Sequence, residues 1–302
     1  MSSRNPDSDA PTRVPAASEE LFSALANETR IAVLFALAEA ERDVGSPAPF
    51  SEIYRRVDIR DSGKFNYHLK ALCGNFVRRS EEGYALQYVG RQVYRAIKAG
   101  RFRGDYDVAP ETIDSRCPNC DARLVASYDG GRFTVACDDC DSPWAMVDLP
   151  PGVVMDRDVE AVVRTADRRM RRSMALAADG ICPNCSGRMT ASLTDRADGL
   201  PTRLSVDHVC EHCEQLILTT SIGELLLSHP AVVAFCYDRG VDLSDRPFWE
   251  IEFCASDDAV SVRSEDPWRA TLEVSAGDEV LALMLDDAFD PVETDVRADA
   301  GP

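Results

Sequence analysis

Lysine is nearly missing from this chain: of 302 residues only Lys64, Lys70 and Lys98 carry it, against 52 Asp and Glu, and the formal net charge is -19. A field of that sign repels polyanions over most of the surface and matches the composition of salt-adapted, halophilic proteins. Long apolar runs are lacking too. None approaches the roughly 18 residues of a membrane span, and the N-terminal stretch MSSRNPDSDAPTRVPAASEE has no apolar h-region, so the expectation is a cytoplasmic protein with no membrane partner, whose thiols stay reduced. Catalytic signatures are missing as well: there is no P-loop, no GxGxxG after a strand, no GxSxG, no HExxH and no HxE of the zinc deaminases. With those constellations gone, no enzyme is expected.

Charge is unevenly spread. From Arg55 to Arg103 twelve Lys or Arg stand against four acids (Asp58, Asp61, Glu81, Glu82), a local net of +8 that includes every lysine. From Val241 to the C-terminus four Arg stand against seventeen acids, a net of -13. A basic run can be a solvated face and nothing more. Its place on the fold decides which it is.

Cysteine carries the strongest pattern. Eight of the eleven cysteines form four CxxC pairs in two quartets, Cys117, Cys120, Cys137 and Cys140, then Cys182, Cys185, Cys210 and Cys213. CPNCDARL at the first is echoed by CPNCSGRM at the second. Each CxxC turn presents two sulfurs to one ion, and two turns complete the tetrahedral thiolate shell that zinc favours. Sixteen residues separate the pairs of the first quartet and twenty-four those of the second, lengths that suit a hairpin. RLVASY, Asp129-Gly130-Gly131 and RFTVA alternate about a glycine turn; RMTASLT, a loop with Asp198-Gly199 and Pro201, and RLSVDHV repeat the plan. Two zinc ribbons with one structural ion each follow. A disulfide framework is set aside, because the chain is long and lacks secretory context. A catalytic zinc would keep an open position and use His or carboxylate. His208 and His212 flank the last pair, but four thiolates already fill the shell.

The remaining pattern divides the chain. Residues 1–17 read as a disordered tail. Leu21, Phe22, Leu25, Ile31, Leu34, Phe35 and Leu37 recur at helical spacing, with Asn27 breaking or capping the run. A Gly- and Pro-rich loop, Gly45 to Pro49, leads to a short helix near Ser51 to Val57, and a second helix starts near Ser62. There Phe65, Leu69 and Leu72 share a face, leaving Lys64, Asn66, Tyr67, His68 and Lys70 on the rest. Two short helices on a tight turn form a helix-turn-helix, whose second helix enters the major groove. Phe76 to Arg79 and Tyr84 to Leu86 then read as strands of a wing, and Val89 to Ile97 as a closing helix.

In LFSALANETRIAVLFAL, FSEIYRRV, GKFNYHLKALC and FVRR the chain resembles the ArsR-type winged-helix regulators, particularly haloarchaeal ones, over roughly residues 18–103. Leu25-Ala26 with Arg30 matches the LAxxxR signature, and His68, Leu69 and Leu72 match HLxxL. The resemblance implies a winged helix-turn-helix domain that binds double-stranded DNA in transcription regulation. Only Cys73 lies near the recognition helix, where the family's arsenic sensors carry a cysteine cluster, so heavy-metal sensing is not implied. Arg55, Arg56, Arg78, Arg79 and Arg91 are expected on phosphates, and Lys64, Asn66, Tyr67 and Lys70 at base edges. Ser62, at the start of that helix, belongs to the same face. His68 either packs or touches a phosphate.

Beyond the first ribbon (112–148), Asp156 or Asp158 caps a linker helix (156–178) with an apolar stripe of Val159, Val162, Val163, Ala166, Met170 and Met174. Packing on a ribbon or a dimer mate is the plain reading of that stripe. Arg164, Arg168, Arg169, Arg171 and Arg172 crowd the other surfaces, a second nucleic-acid contact being the sharper reading. The second ribbon (180–220) leads to an acidic α+β C-terminal unit (221–290). In it Ile222 to Leu227 and Val232 to Tyr237 read as helices, with a break at His229-Pro230. Phe248 to Phe253, Val260 to Arg263, Trp268 to Val274 and Val280 to Leu285 read as strands. Cys236 and Cys254 belong to its core, and residues 291–302 read as a disordered tail.

The expected whole is an α+β homodimeric transcriptional regulator in which the zinc-ribbon region mediates dimerisation or partner binding. Winged helix followed by ribbon is also similar to the archaeal relatives of the general factor TFIIE, whose ribbon surfaces meet polymerase, a transcription-machinery protein. Chain order supports that alternative; the linker helix, second ribbon and acidic unit do not. A zinc-thiolate redox sensor is a further alternative.

Overall fold

Residues 16–102, 106–195 and 202–299 are described by the computed structural model. The first fifteen residues, on which most of the expected N-terminal tail falls, lie outside the described residues, as do Asp198-Gly199 and Pro201. The chain divides into two compact units, Met1–Phe102 and Arg103–Pro302, both mixing helix with antiparallel sheet. No single helix among the described residues is long and apolar enough to cross a membrane.

In the first unit α1 (Ala16–Leu25) and α2 (Glu28–Val44) meet at Asn27, whose side chain accepts the Arg30 N–H at 3.2 Å as an N-cap. Arg30 reaches back to the carbonyls of Ser23 and Ala24, at 3.3 and 3.1 Å, so the arginine of the LAxxxR motif ties two helices together. Then come α3 (Phe50–Tyr54), α4 (Ser62–Leu72), the hairpin of β1 (Val77–Arg79) with β2 (Tyr84–Leu86), and α5 (Tyr88–Lys98). Val33, Leu34, Leu37, Ile53, Phe65, Leu69, Leu72 and Phe76 form the core beneath them. Gly83 is required: its φ is +146°, and a Cβ there would lie 2.3 Å from the carbonyl oxygen of Ala48. That close approach lets Ala48 and Tyr84 exchange two backbone hydrogen bonds, at 2.8 and 2.9 Å, and so pins the hairpin to the loop before α3.

In the second unit β3 (Val108–Arg116), β4 (Arg123–Asp129), β5 (Arg132–Cys137) and β6 (Pro143–Asp148) make a four-stranded antiparallel sheet in chain order. Leu124, Ala126 and Tyr128 on β4 and Phe133, Val135 and Cys137 on β5 are buried in strict alternation. The two-residue turn Gly130-Gly131 has positive φ at both positions, as such hairpins demand. Next is α6 (Val159–Ala178), capped by Asp158, which accepts the Ala161 N–H at 2.8 Å. A three-stranded sheet of β7 (Met189–Asp195), β8 (Leu204–Cys210) and β9 (Gln215–Ser221) follows, then α7 (Ile222–Leu226), α8 (Pro230–Asp238) and α9 (Glu252–Ala255). The unit ends in the sheet β10 (Val260–Glu265), β11 (Trp268–Ala276), β12 (Glu279–Leu285) and β13 (Pro291–Ala298).

Three features differ from the sequence reading. The C-terminal region is no separate body: the stripe Val162, Val163, Ala166, Met170 and Met174 of α6 shares one core with Leu124 and Phe133 of the first sheet, Ile222 and Phe253 of the helices, and Leu272 and Leu283 of the last sheet. Phe248 to Phe253 is not a strand. Phe248–Glu250 is a 3-10 turn and α9 follows, because Phe248 and Trp249 are both buried and the Phe248 N–H goes to the Asp167 carboxylate at 3.0 Å instead of to a neighbouring strand. Residues 291–298 are not a tail but the edge strand β13, paired with β12 in the register Leu281↔Val296 and Leu283↔Thr294. An edge strand needs one neighbour and tolerates polar residues, which hides it in the sequence.

A buried acid, Asp167, and a half-buried one, Glu224, organise this core. Asp167, on α6, takes the Arg171 Nε on both oxygens at 2.9 Å together with the Phe248 N–H, while Arg171 donates to the Arg246 carbonyl at 2.7 Å. Asp167→Ala strands a buried guanidinium and an amide, so a loss of about 3 kcal/mol or more in denaturant titration is expected. Glu224 closes a capping box with Ser221, accepting its N–H at 2.7 Å, and Gly223 beside it admits the Phe253 carbonyl, 1.7 Å from where a Cβ would stand. Burial pushes the Glu224 pKa up to about 7 from an ordinary 4.5. Its neutral form suits the fold, so the contribution of this one group to stability is fully present below pH 4.5 and is lost as pH rises through about 7. Glu224→Gln keeps the capping acceptor. It is therefore expected to match the parent near pH 4.5 and to melt at higher temperature above pH 7, as measured by thermal unfolding across that range.

Candidate metal centres and a basic helix face

Each CxxC closes through the same backbone turn. The residue after the second cysteine takes a left-handed conformation at all four places: Asp121 (φ 60°), Asp141 (57°), Ser186 (62°) and Glu214 (55°). The Asp121, Ser186 and Glu214 N–H groups each return at 2.8 Å to the carbonyl of the first cysteine of their pair. The turn aims further N–H groups at sulfur, as from Cys140 to the Cys137 Sγ at 3.4 Å and from Cys213 to the Cys210 Sγ at 3.2 Å. The turn between β3 and β4 carries the first pair of the first quartet, and the end of β5 with the turn that follows it carries the second. In the second quartet the first pair lies before β7, and the second is Cys210 at the end of β8 with Cys213 in the turn to β9.

The structure brings together Cys117, Cys120, Cys137 and Cys140, and separately Cys182, Cys185, Cys210 and Cys213. Within each quartet all sulfurs lie within 4.8 Å of one another. Sulfur separations of 3.7 Å (Cys117–Cys140), 3.4 Å (Cys120–Cys137) and 3.5 Å (Cys185–Cys210) are far beyond the roughly 2.05 Å of a disulfide. The Ser142 hydroxyl pulls the Cys140 thiol down to about 6 and the Cys213 N–H pulls Cys210 down to about 7, while hydrogen bonds among the sulfurs push Cys120 and Cys213 up to about 12, so one thiol in each quartet is made acidic at the expense of a neighbour. A thiolate is the form that binds metal. His208 is no ligand: its buried ring hydrogen-bonds Thr220 at 3.0 Å through Nε2, and burial lowers its pKa to about 4. Cys236 and Cys254 are buried in the core, and Cys73 donates to the Leu69 carbonyl, so these three stand apart from both quartets.

In the first unit α4 presents the basic face. Asp61 caps it, accepting from the Gly63 and Lys64 N–H groups at 2.7 and 3.1 Å. Phe65, His68, Leu69 and Leu72 point inward, whereas Ser62, Lys64, Tyr67 and Lys70 are exposed and Asn66 is half-buried. Arg78 and Arg79 stand exposed on the hairpin, Arg79 over the Tyr84 ring at 5.9 Å.

Other expected contacts are placed differently. Arg56 is held inward, by Asp43 and Glu52, both at 2.9 Å, and by the Glu52 carbonyl; its hydrogen bonds hold both carboxyls below the usual carboxylate range. Arg55 also pairs with Glu52, and Arg91 donates to the Leu86 carbonyl. His68 is packed, with desolvation lowering its pKa. The Glu52–Arg56 spacing of four residues was a readable signal of a local ion pair at the end of α3. Asp43 was not, being thirteen residues away. The sequence reading also missed the four left-handed residues, although a polar residue after every second cysteine marks them.

The expected outcome of metal analysis on the reduced, folded protein is two tightly held ions per chain. Cys117→Ser and Cys182→Ser should each remove one, and a stoichiometry near zero in the parent would refute the assignment.

A family profile described as a domain of unknown function (DUF7351) matches residues 114–290, and another (DUF7347) matches residues 18–97. No curated protein matches the chain. Among solved structures, the Rio2 kinase-ADP/Mg2+-phosphoaspartate complex from Chaetomium thermophilum aligns at 14% identity over 75% of this chain and 81% of that one. Its TM-score is 0.26, a value from which neither a shared fold nor a shared activity follows.

Proposed function

The chain belongs to the DUF7351 family, and from its basic α4 face and its two thiolate quartets we propose that it is a DNA-binding transcriptional regulator of ArsR-like winged-helix type. The observation that carries this reading is α4 itself: an Asp61-capped helix whose outer face holds Lys64, Asn66, Tyr67 and Lys70, with Arg78 and Arg79 exposed on the adjoining hairpin. α3 and α4 act as the helix-turn-helix and β1–β2 as the wing. A helix of this kind enters the major groove, where Asn suits adenine and Lys suits guanine. The wing arginines meet phosphates and set orientation without reading sequence. Arg56 serves as a structural clamp, and His68 as packing beneath the helix.

Both quartets hold structural zinc in this reading. A tetrahedral shell with Zn–S of 2.3 Å has sulfur edges of about 3.8 Å, close to the 3.4–3.7 Å separations of the first quartet. Cys117, Cys120, Cys137 and Cys140 hold one ion, and Cys182, Cys185, Cys210 and Cys213 the other. Four thiolates leave no open position, so each ion folds a ribbon and supplies no chemistry. The ribbon-bearing unit joins two copies into a dimer or receives a transcription-machinery partner, in a cytoplasm that keeps thiols reduced.

Asn66→Ala is expected to cost about 1–3 kcal/mol on the preferred operator and little on random duplex. Arg79→Ala should weaken both alike and lower the salt slope by roughly 1. Affinities of the full-length variants for both duplexes across a salt series check this. Equal losses for Asn66→Ala on the two duplexes would remove α4 as the reading helix. Genome-wide crosslinking completes the test, since occupancy at nearly every promoter would instead indicate a basal factor of the TFIIE kind.

A further inference from the structure

On α6 the arginines divide into two groups. Arg171 is turned inward to Asp167, whereas Arg164, Arg168, Arg169 and Arg172 are exposed. Arg164, Arg168 and Arg172 follow one another at intervals of four residues, so they line one face over about 12 Å. The helix has only two acids. Glu160 accepts the Asp114 N–H at 3.0 Å and Asp167 is buried. Among the described residues the four exposed arginines have no carboxylate partner.

That arrangement runs against the composition. With 52 acids to 33 bases in the chain, a solvent-facing helix would ordinarily carry acids four residues from its arginines and gain a few tenths of a kcal/mol per pair. Here Glu160, four residues before Arg164, is taken by the Asp114 N–H, and beyond it like charges recur at that spacing, which weakens the isolated helix. Such a face suits an external polyanion. The rest of it, Ala161, Thr165 and Ala175 with Leu176 at its far end, lacks the aromatic or Met anchors of a protein interface core. Guanidinium forks in a regular row suit phosphate oxygens, each able to bind in a bidentate manner.

We propose that α6 is a second DNA contact, in which Arg164, Arg168 and Arg172 engage backbone phosphates of the duplex without reading sequence. The inference rests on the reading of the chain as a DNA-binding protein. It adds a separate source of affinity in the ribbon-bearing unit.

The test uses full-length protein, a long random-sequence duplex and a potassium chloride series. Arg164→Gln/Arg168→Gln/Arg172→Gln should lower the salt slope by about 2.7, three contacts' worth, with its melting temperature unchanged. The matching triple Lys variant should keep the slope, since charge and not guanidinium packing carries it. Arg78→Gln/Arg79→Gln is measured alongside. If its slope falls while that of the α6 Gln variant does not, the inference is overturned and the winged-helix reading stands. If only the α6 variant falls, the inference stands and the winged-helix reading is overturned. No binding by the parent overturns both. An unchanged slope with lost self-association in sedimentation would assign the face to the acidic surface of a second copy, and would also overturn the inference.

Discussion

Asp167 sets the geometry of the second unit, because a buried carboxylate must find donors wherever the chain can bring them. It draws Arg171 inward from its own helix and the Phe248 amide from a segment 81 residues later. Once those three groups are satisfied, the rotation of α6 is settled. The valine and methionine stripe faces the shared core, and Arg164, Arg168 and Arg172 on the opposite side of the helix face solvent. Phe248 and Trp249 are then held side by side in a 3-10 turn, with the Trp249 indole donating to Ser115 at 3.4 Å and Ser115 donating to Glu250. One acid thus links the first sheet, α6 and the C-terminal helices.

The cysteine turns obey a different constraint, local and repeated. Four times the chain spends a left-handed conformation on a residue with a side chain, which costs about 1 kcal/mol or more outside glycine. In exchange the turn converges sulfurs and amide N–H groups on one point. Asp and Ser, found at three of the four places, can form local hydrogen bonds that ease that conformation. Gly187 belongs to the same device: a Cβ there would lie 2.8 Å from the His212 Cβ and 3.2 Å from the Cys185 sulfur, so the second quartet closes only around a glycine.

What could be read from sequence was what depends on near neighbours. The quartets, the Gly130-Gly131 hairpin, the cap at Asn27 and the inward set Phe65, Leu69 and Leu72 all follow from spacings of a few residues. The misplacements share a long-range cause. Arg56 looked free because Asp43 is remote in sequence, FWEIEF looked like a strand because its backbone partner is a side chain on α6, and β13 looked like a tail because only β12 makes it a strand. The single core of the second unit was hidden for the same reason, since α6 carries an ordinary amphipathic stripe that does not name its partner.

The Asp167–Phe248 bond also orders events at the ribosome. At about 5–20 residues per second, the 81 residues separating those partners take roughly 4–16 s to emerge, and Ser115 waits longer for Glu250, 135 residues on. Through that interval the first sheet can close on its own consecutive hairpins, but the apolar side of α6 has no complete surface to cover it. The nascent chain therefore passes through a stage in which a helix edged with arginine and striped with valine and methionine is unburied. Aggregation risk is concentrated there, and rare codons or a chaperone acting between α6 and α9 would change the yield of folded protein without altering any contact in it.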